Sequence, residues 1–166
     1  MSLLDKVNNL NKTDFISIFG NVFEKTDWVA KKAYSLKPFI SLDDLFSKII
    51  NIFENSKKED HLEIFNAHPD LVVAKKLTND SKKEQNNAQL NQCTEKEMKE
   101  FTKLNIIYKK KFNFPFIIAV SGKNKFEILK NFRERIKNDK IVEFKEAKNQ
   151  VKKIASIRIQ QIIKSK

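Results

Sequence analysis

The side chains best suited to acid–base chemistry in this sequence lie between residues 68 and 85. His68, one of only two histidines, stands directly before a proline, and Ser81, Glu84 and Gln85 follow at helical spacing. Residues three and four apart on a helix project from the same face. A histidine near its unperturbed pKa of about 6.5 can take and return a proton at neutral pH, and a carboxylate can orient it. Serine and glutamine add groups that donate and accept hydrogen bonds to a ligand.

The same residues also have plain structural explanations. Ser81 and Glu84 have the spacing of a capping box, in which serine and glutamate satisfy backbone amides at the start of a helix. The chain repeats this pattern at Thr94 and Glu97. His68 can equally be an ordinary cap or surface residue. Spacing alone therefore indicates a helix start and favours the structural explanation of His68.

Four further features can be functional or structural. His61 stands among lysines and acidic residues and is predicted to be a solvated surface residue. Arg158 interrupts an apolar helical stretch, so it either reaches out to water or meets an anion. Phe116–Val120 is a continuous apolar run that predicts core, although an unpaired edge of it can hold a polar ligand through main-chain groups. Cys93 has no histidine nearby in sequence and is predicted to be a small polar-loop residue or a packing residue, not a nucleophile.

Composition limits the class of protein. The 166 residues are most simply one domain, residues 1–166, and 40% hydrophobic residues with 14 Phe supply a core. Two Gly and three Pro leave little material for the turns of a β fold. Two His and one Cys are too few for a usual structural zinc site, and one Cys excludes an internal disulfide. With neither a leader-like N-terminus nor an apolar run of membrane length, the sequence predicts a cytoplasmic protein.

The formal charge of +12 leaves an alternative function open. A strongly basic chain attracts polyanions and small acidic substrates. The lysines, however, are spread over nearly every predicted helix and do not gather into one stripe. The alternative is a small basic helical module that binds nucleic acid without catalysis, with binding that weakens steeply as salt rises.

Periodicity predicts an all-α fold, a single-domain multi-helix bundle with one buried extended segment at about Phe114–Val120. Start signals are capping residues and prolines at first-turn positions. On these signals helices are predicted from Thr13 through Phe23, from Ser41 through Phe53, from Pro69 to about residues 77–80, from Ser81, from Thr94 through Met98, Phe101, Leu104, Ile107 and Tyr108, around Phe126–Ile136, and over residues 139–163.

Four motifs in register resemble one family. They are His68-Pro69-Asp70-Leu71, Ser81-x-x-Glu84-Gln85, Leu104-Asn105-x-x-Tyr108 with the following Lys111-Phe112-x-Phe114-Pro115-Phe116 stretch, and Ile154-Ala155-x-x-Arg158. In order and separation they are similar to the 2-oxo-4-hydroxy-4-carboxy-5-ureidoimidazoline (OHCU) decarboxylases of urate degradation. The N-terminal part, with Val22-Phe23-Glu24, is similar as well.

The resemblance implies an enzyme that needs no cofactor and no metal, and that converts OHCU, a small anionic ureidoimidazoline, to (S)-allantoin and CO2. It implies that His68 is the catalytic histidine, that Glu84 positions it, and that Arg158 meets the charge of the substrate. It also implies a homodimer and no membrane partner. The substrate-binding positions that it implies are Pro69, Ser81, Gln85, and the main chain of Phe116, Ile117, Ile118, Ala119 and Val120.

Two stretches depart from the family pattern. Asn86 and Asn87 stand where relatives commonly have glycines, and Val72 and Val73 are bulkier than the usual small residues. Both changes can narrow or reshape a pocket, so we expect the substrate range to depend on them.

Overall fold

A computed structural model describes residues 1–72 and 77–166. These residues form nine α-helices and one short 3-10 helix, and no strand occurs in this part of the chain. The predicted all-α fold is confirmed. The helices are α1 Leu3–Asn9, α2 Lys12–Phe19, α3 Trp28–Tyr34, α4 Leu42–Glu54, α5 Lys58–Ala67, α6 Asn79–Asn87, α7 Glu95–Phe112, α8 Lys125–Arg135 and α9 Lys140–Lys164, with the 3-10 helix at Leu90–Gln92.

The chain divides into two compact units. Unit 1 contains Met1–Ile64 and Lys152–Lys166, and unit 2 contains Phe65–Val151. Helices α5 and α9 each contribute residues to both units. The expected single domain stays a prediction. Within the described ranges, none of the helices combines the length and the apolar character that crossing a membrane requires.

Unit 1 is built on helices whose caps differ in part from those predicted. The side chain of Ser41 accepts a hydrogen bond from the N–H of Asp44 and caps α4 as expected. The cap of α2 is Asn11, not Thr13, and the helix ends at Phe19. The predicted continuation through Phe23 is therefore wrong, because Gly20, a weak helix former, stands at the C-cap.

Unit 2 is organised around α7. Thr94 caps this helix by accepting from the N–H of Glu97 at 3.2 Å, as predicted. Its inner face contributes fully buried Tyr108 to a cluster of aromatic rings. Met98 and Ile107 are 48% and 43% exposed, because they lie on the outward face of α7. The cluster also contains Phe112, Phe114, Phe116 and Phe132.

The stretch between α5 and α6 differs from the prediction. The described residues from Pro69 to Val72 are not helical, so a helix does not begin at Pro69. The remainder of that predicted helix, residues 73–76, lies outside the described residues. Helix α6 begins at Asn79 and is capped by Thr78, whose hydroxyl accepts from the N–H of Ser81. Ser81 is therefore inside the first turn, because Thr78 takes the capping role three residues earlier.

The extended segment is present where it was predicted. Residues 114–120 follow the end of α7, lie outside every helix and are all buried. The ring of Phe116 stacks on that of Phe132 with centroids 3.9 Å apart, which anchors the segment in the aromatic cluster. Apolar side chains on alternating sides are buried together, as in a strand covered on both faces.

Candidate active site

His68 lies one residue beyond the end of α5, in unit 2. Its main-chain N–H donates to the carbonyl of Phe65, and the residue is only 9% exposed. His61, Ile64 and Phe65 are also buried, so His68 continues the inward face of the helix at spacings of three and four residues. The histidine that the sequence singled out is therefore a buried residue at a helix end.

The prediction for His61 is wrong. This histidine is 4% exposed, its Nε2 lies 2.6 Å from the carbonyl oxygen of Phe53, and its ring packs edge-on against the Phe53 ring. Its charged sequence neighbours project from the other face of α5. The spacing of His61 to Ile64 and Phe65 was the signal that would have predicted its burial.

The segment after His68 is held by two other helices of unit 2. The N–H of Val72 donates to Oε1 of Gln85 on α6 at 3.3 Å. Nδ2 of Asn105 on α7 donates to the carbonyl of Leu71 at 2.9 Å. Val72 has a φ of 54°, a left-handed conformation that is strained for a β-branched residue. The loop geometry next to His68 therefore depends on the two amide side chains that contact it.

The predicted polar cluster lies on α6. Ser81 and Gln85 are 4% and 8% exposed, and Glu84 is half-buried. The three residues share one helix, as their spacing predicted. Polar side chains are rarely buried without a structural or functional reason. The pairing of Glu84 with His68 stays a prediction.

The main-chain groups along one edge of the extended segment form hydrogen bonds with side chains of other elements. Arg135 donates from Nη1 to the carbonyl of Ile117 at 2.7 Å, and the N–H of Ala119 donates to Oε1 of Gln150 at 2.9 Å. The carbonyl of Ala119 also accepts from the ammonium group of Lys123. In an extended chain, residues two apart direct their main-chain groups to the same edge. Ile117 and Ala119 therefore define the held edge.

The opposite edge belongs to Phe116 and Ile118. No main-chain group of these two residues forms a hydrogen bond with any residue in the described ranges 1–72 and 77–166. Both residues are buried, at 1% and 5% exposure. Buried main-chain donors and acceptors are almost always paired in folded proteins. This open edge is the part of the segment that can hold a polar ligand.

A buried charged network supports the held edge, and sequence reasoning missed it. The guanidinium of Arg135 pairs with Glu143, and its carbon lies 4.4 Å from the centre of the Phe116 ring. The hydroxyl of Tyr108 donates to the same carboxylate, and burial, followed by this carboxylate, raises the pKa of Tyr108 well above its usual value. The available signal was the position of Glu143 on the inner face of α9, four residues before buried Ala147.

Arg158 lies in unit 1, whereas the other predicted site residues lie in unit 2. It does meet an anion, because its Nη2 is 2.8 Å from the carboxylate of Glu24, with 2% and 0% of the two side chains exposed. Its Nη1 donates to the carbonyl of Asn21. The internal ion pair explains how an arginine is tolerated in this apolar helix. Its role toward a substrate stays a prediction.

The aromatic residues do not favour the nucleic-acid alternative. Single-stranded nucleic acids bind to exposed aromatic rings that alternate with basic residues. Most phenylalanines of the described part of the chain are buried, and Phe126, at 65% exposure, is a single exposed ring on α8. The basic charge is consequently not combined with a stacking surface in these residues.

Comparison with known proteins gives one consistent family. A sequence model of the family described as OHCU decarboxylase matches residues 8–160. The chain is 34% identical over 156 residues to the 2-oxo-4-hydroxy-4-carboxy-5-ureidoimidazoline decarboxylase of Haloferax volcanii, covering 94% of this chain and 93% of that protein. A crystal structure of OHCU decarboxylase in the presence of (S)-allantoin superposes with a TM-score of 0.70 and 29% identity, over 82% of this chain and 91% of that one.

Some relatives are longer. The uric acid degradation bifunctional protein of Bacillus sp. (strain TB-90) is 38% identical over 164 residues, which is 99% of this chain and 33% of the relative. The chain thus spans about one third of the length of that bifunctional relative.

Proposed function

Since this chain belongs to the OHCU decarboxylase family, we propose that it converts OHCU to (S)-allantoin and CO2 in urate degradation. The substrate is a small anionic ureidoimidazoline, and the reaction runs in the cytoplasm. The single cysteine supports that location, because a chain without an internal disulfide suits a reducing compartment.

The observation that carries the proposal is a set of buried polar side chains in unit 2. His68, Ser81 and Gln85 are each at most 9% exposed; His68 directly follows α5, and the other two lie on α6, the next helix of this unit. Their sequence motifs are those of the family, and their burial gives them the dry surroundings in which electrostatic interactions with a substrate are strong.

The reaction breaks the bond between the carboxylate and the ring carbon that carries the hydroxyl group. The electron pair moves into the adjacent imine, whose nitrogen takes up a proton from solvent, so the substrate itself is the electron sink. Loss of the hydroxyl proton forms the new carbonyl, and a proton added to the neighbouring carbon sets the hand of allantoin. In our proposal His68 removes and returns these protons, and Glu84 orients its ring.

The remaining residues bind the substrate and stabilise its charge. The open edge at Phe116 and Ile118 supplies main-chain donors and acceptors in a fixed orientation. Gln85 already accepts from Val72 through Oε1, so its Nε2 is the half of the amide that donates to the substrate. The proposed contribution of positive charge by Arg158 rests on the family motif Ile154-Ala155-x-x-Arg158 alone.

The test measures which enantiomer of allantoin the protein forms. Freshly generated OHCU decays without enzyme to racemic allantoin, so circular dichroism at a wavelength where allantoin absorbs reports enzymatic turnover. The wild-type chain is expected to give the (S) form. His68→Asn is expected to reduce kcat by about 10²–10⁴-fold, the usual contribution of a general acid or base. His61→Asn is the matched control, with turnover close to wild type.

The outcomes distinguish a failure of the proposed reaction from a failure of the proposed role of His68. A racemic product with the wild-type chain rejects the proposed reaction. Wild-type turnover in folded His68→Asn protein rejects the role of His68 and leaves the reaction in place. Equal losses in both histidine variants indicate a loss of folded protein, which far-ultraviolet circular dichroism of the same samples detects.

We also propose that two copies of the chain pair through α7. The outward face of this helix exposes Met98, Ile106 and Ile107 at 48%, 64% and 43%, and such apolar patches mark interaction sites. They line a groove of about 580 Å³ on the helix surface. The other lining residues are Glu95, Lys99, Thr102 and Lys103.

This face is complementary to itself in an antiparallel pair. A two-fold axis between Thr102 and Lys103 brings Met98 of one copy opposite Ile107 of the other. The same axis brings exposed Glu95 opposite exposed Lys110, so each apolar contact is flanked on its outer side by opposite charges. Symmetric pairing of one surface with itself is the usual arrangement of a homodimer.

Sedimentation velocity tests the proposed pairing. Ile107→Glu, which places a carboxylate opposite the apolar side chain of Met98 in each of the two symmetric contacts, is expected to give monomers. Ile141→Glu, at a residue that is 73% exposed on α9, is the control and is expected to leave the dimer intact. A monomeric wild-type chain, or a dimer that survives Ile107→Glu, rejects this interface.

A further inference from the structure

The side chain of Asn105 has a buried acceptor that forms no hydrogen bond within the part of the chain that the structure describes. The residue is 4% exposed on the inner face of α7, and its Nδ2 donates to the carbonyl of Leu71. Its Oδ1 is buried and has no hydrogen-bond partner among residues 1–72 and 77–166. A buried acceptor left without a partner costs about 1–3 kcal/mol, so it calls for a physical explanation.

The orientation of the amide follows from its one hydrogen bond. The carbonyl oxygen of Leu71 can only accept, so the group of Asn105 that faces it must be the NH2 group. Turning the amide over would place two oxygens 2.9 Å apart and remove the hydrogen bond. Oδ1 is therefore fixed on the side of the amide that faces away from Leu71.

Another asparagine in the chain shows the contrast. Nδ2 of Asn8 donates to the carbonyl of Phe39 at 2.9 Å, and its Oδ1 accepts from the N–H of the same residue at 2.8 Å. Both halves of that amide serve the fold. Asn105 binds a main-chain carbonyl in the same way through its Nδ2, but its Oδ1 accepts no hydrogen bond from the described residues.

The location of Asn105 connects it with the candidate active site. Leu71 is three residues after His68, and Val72 is held by Gln85. The Asn105 amide thus contacts the loop that carries the catalytic histidine. We propose that Asn105 is a further substrate-binding residue, whose Oδ1 accepts a hydrogen bond from an N–H group of the ureidoimidazoline while its Nδ2 holds Leu71. This inference rests on the proposed function.

The chemistry of the ligand fits this role. The substrate and allantoin both carry several N–H donors, in the ring and in the ureido group. The open edge of Phe116 and Ile118 and the NH2 half of Gln85 supply donors as well as acceptors. A neutral amide oxygen adds an acceptor for a neutral N–H without adding charge near the carboxylate that must leave.

The experiment measures binding of (S)-allantoin and of its singly N-methylated derivatives by calorimetry to the wild-type chain, Asn105→Ala and Asn8→Ala. Asn105→Ala is expected to weaken the binding of allantoin about tenfold, a change that corresponds to about 1.4 kcal/mol. Asn8→Ala also removes the hydrogen bonds of a main-chain-bound amide, in unit 1, and is expected to change affinity less than twofold.

Methylation separates direct contact from an effect through Leu71. If Oδ1 accepts from one N–H, methylating that nitrogen weakens binding to the wild-type chain about tenfold or more and has much less effect on Asn105→Ala. A uniform loss of affinity for all derivatives in Asn105→Ala shows that Asn105 acts only through Leu71 and overturns the proposal. Unchanged binding in Asn105→Ala, as expected where water pairs with Oδ1, overturns it as well.

The proposed function fails in a different way. A wild-type chain that neither yields (S)-allantoin from OHCU nor binds allantoin removes the reaction itself. A wild-type chain that does both, with Asn105→Ala indistinguishable from it, removes only the role of Asn105. Melting curves without ligand accompany each variant, so that a loss of folded protein is not read as a loss of affinity.

Discussion

Replacing Gln150 with leucine tests whether the held edge of the extended segment supports ligand binding at the open edge. Gln150 is 7% exposed, and its Oε1 accepts from the N–H of Ala119 at 2.9 Å. Leucine has a similar size but no acceptor, so the buried N–H of Ala119 loses its partner. Such a loss costs about 1–3 kcal/mol. In a chain of this length, about 2 kcal/mol lowers Tm by roughly 4–8 °C.

The effect on activity follows from the geometry of the segment. Ala119 is one residue from Ile118, so a shift of its main chain moves the donors and acceptors of the open edge. The His68 loop is held separately by Gln85 and Asn105. We therefore expect Gln150→Leu to raise KM for OHCU about tenfold, the factor given by about 1.4 kcal/mol, with a smaller change in kcat. Initial rates of allantoin formation, followed by circular dichroism well below Tm, measure both constants.

A charge-swapped pair provides the control. Nε2 of Gln150 donates to Glu146 at 2.6 Å, one turn earlier on α9. The double variant Gln150→Glu with Glu146→Gln keeps an acceptor for Ala119 and restores the side-chain pair in reverse. We expect its KM to lie close to that of wild type. A Gln150→Leu variant with unchanged Tm and KM refutes the reasoning, and a lower Tm with unchanged KM refutes the link from the held edge to binding.

Two predictions concern ion pairs. Glu24→Ala leaves the buried guanidinium of Arg158 without its carboxylate, which typically costs about 3–5 kcal/mol, so the midpoint of urea unfolding falls clearly. Glu95→Ala, which removes an exposed ion pair, should hardly change the midpoint of urea unfolding. A midpoint in Glu24→Ala that matches Glu95→Ala contradicts the first prediction. The second prediction concerns the pair of Arg133 and Glu100. The hydrogen bond from Arg133 lowers the pKa of the Glu100 carboxyl group in the folded protein. The pair therefore stabilises the fold above the unfolded pKa of about 4.3, and this stabilisation is lost as pH falls through the folded pKa. The Tm of wild type should exceed that of Glu100→Gln slightly at pH 7, with the gap closing below about pH 4; a gap that persists at pH 2 argues against it.

Local signals predicted much of the fold. Ser41 and Thr94 cap their helices as expected, because a side-chain oxygen and the N–H three residues later meet within one turn. The extended segment around Pro115 was predicted from its apolar run. The same local rules failed at Ser81 and Thr13, where Thr78 and Asn11 are the caps. Several residues in each stretch can cap a helix, and only the path of the preceding chain selects one of them.

Local sequence patterns alone predicted the all-α fold, the burial of residues 114–120, and the helical spacing of Ser81, Glu84 and Gln85. These properties depend on neighbours a few residues apart. Tertiary packing, by contrast, set the pairing of Arg158 with Glu24 and the hydrogen bond from Asn105 to Leu71. Hydrogen-bond partners that lie tens of residues apart are selected by how helices pack, and helical periodicity carries no information about which distant group faces a given side chain.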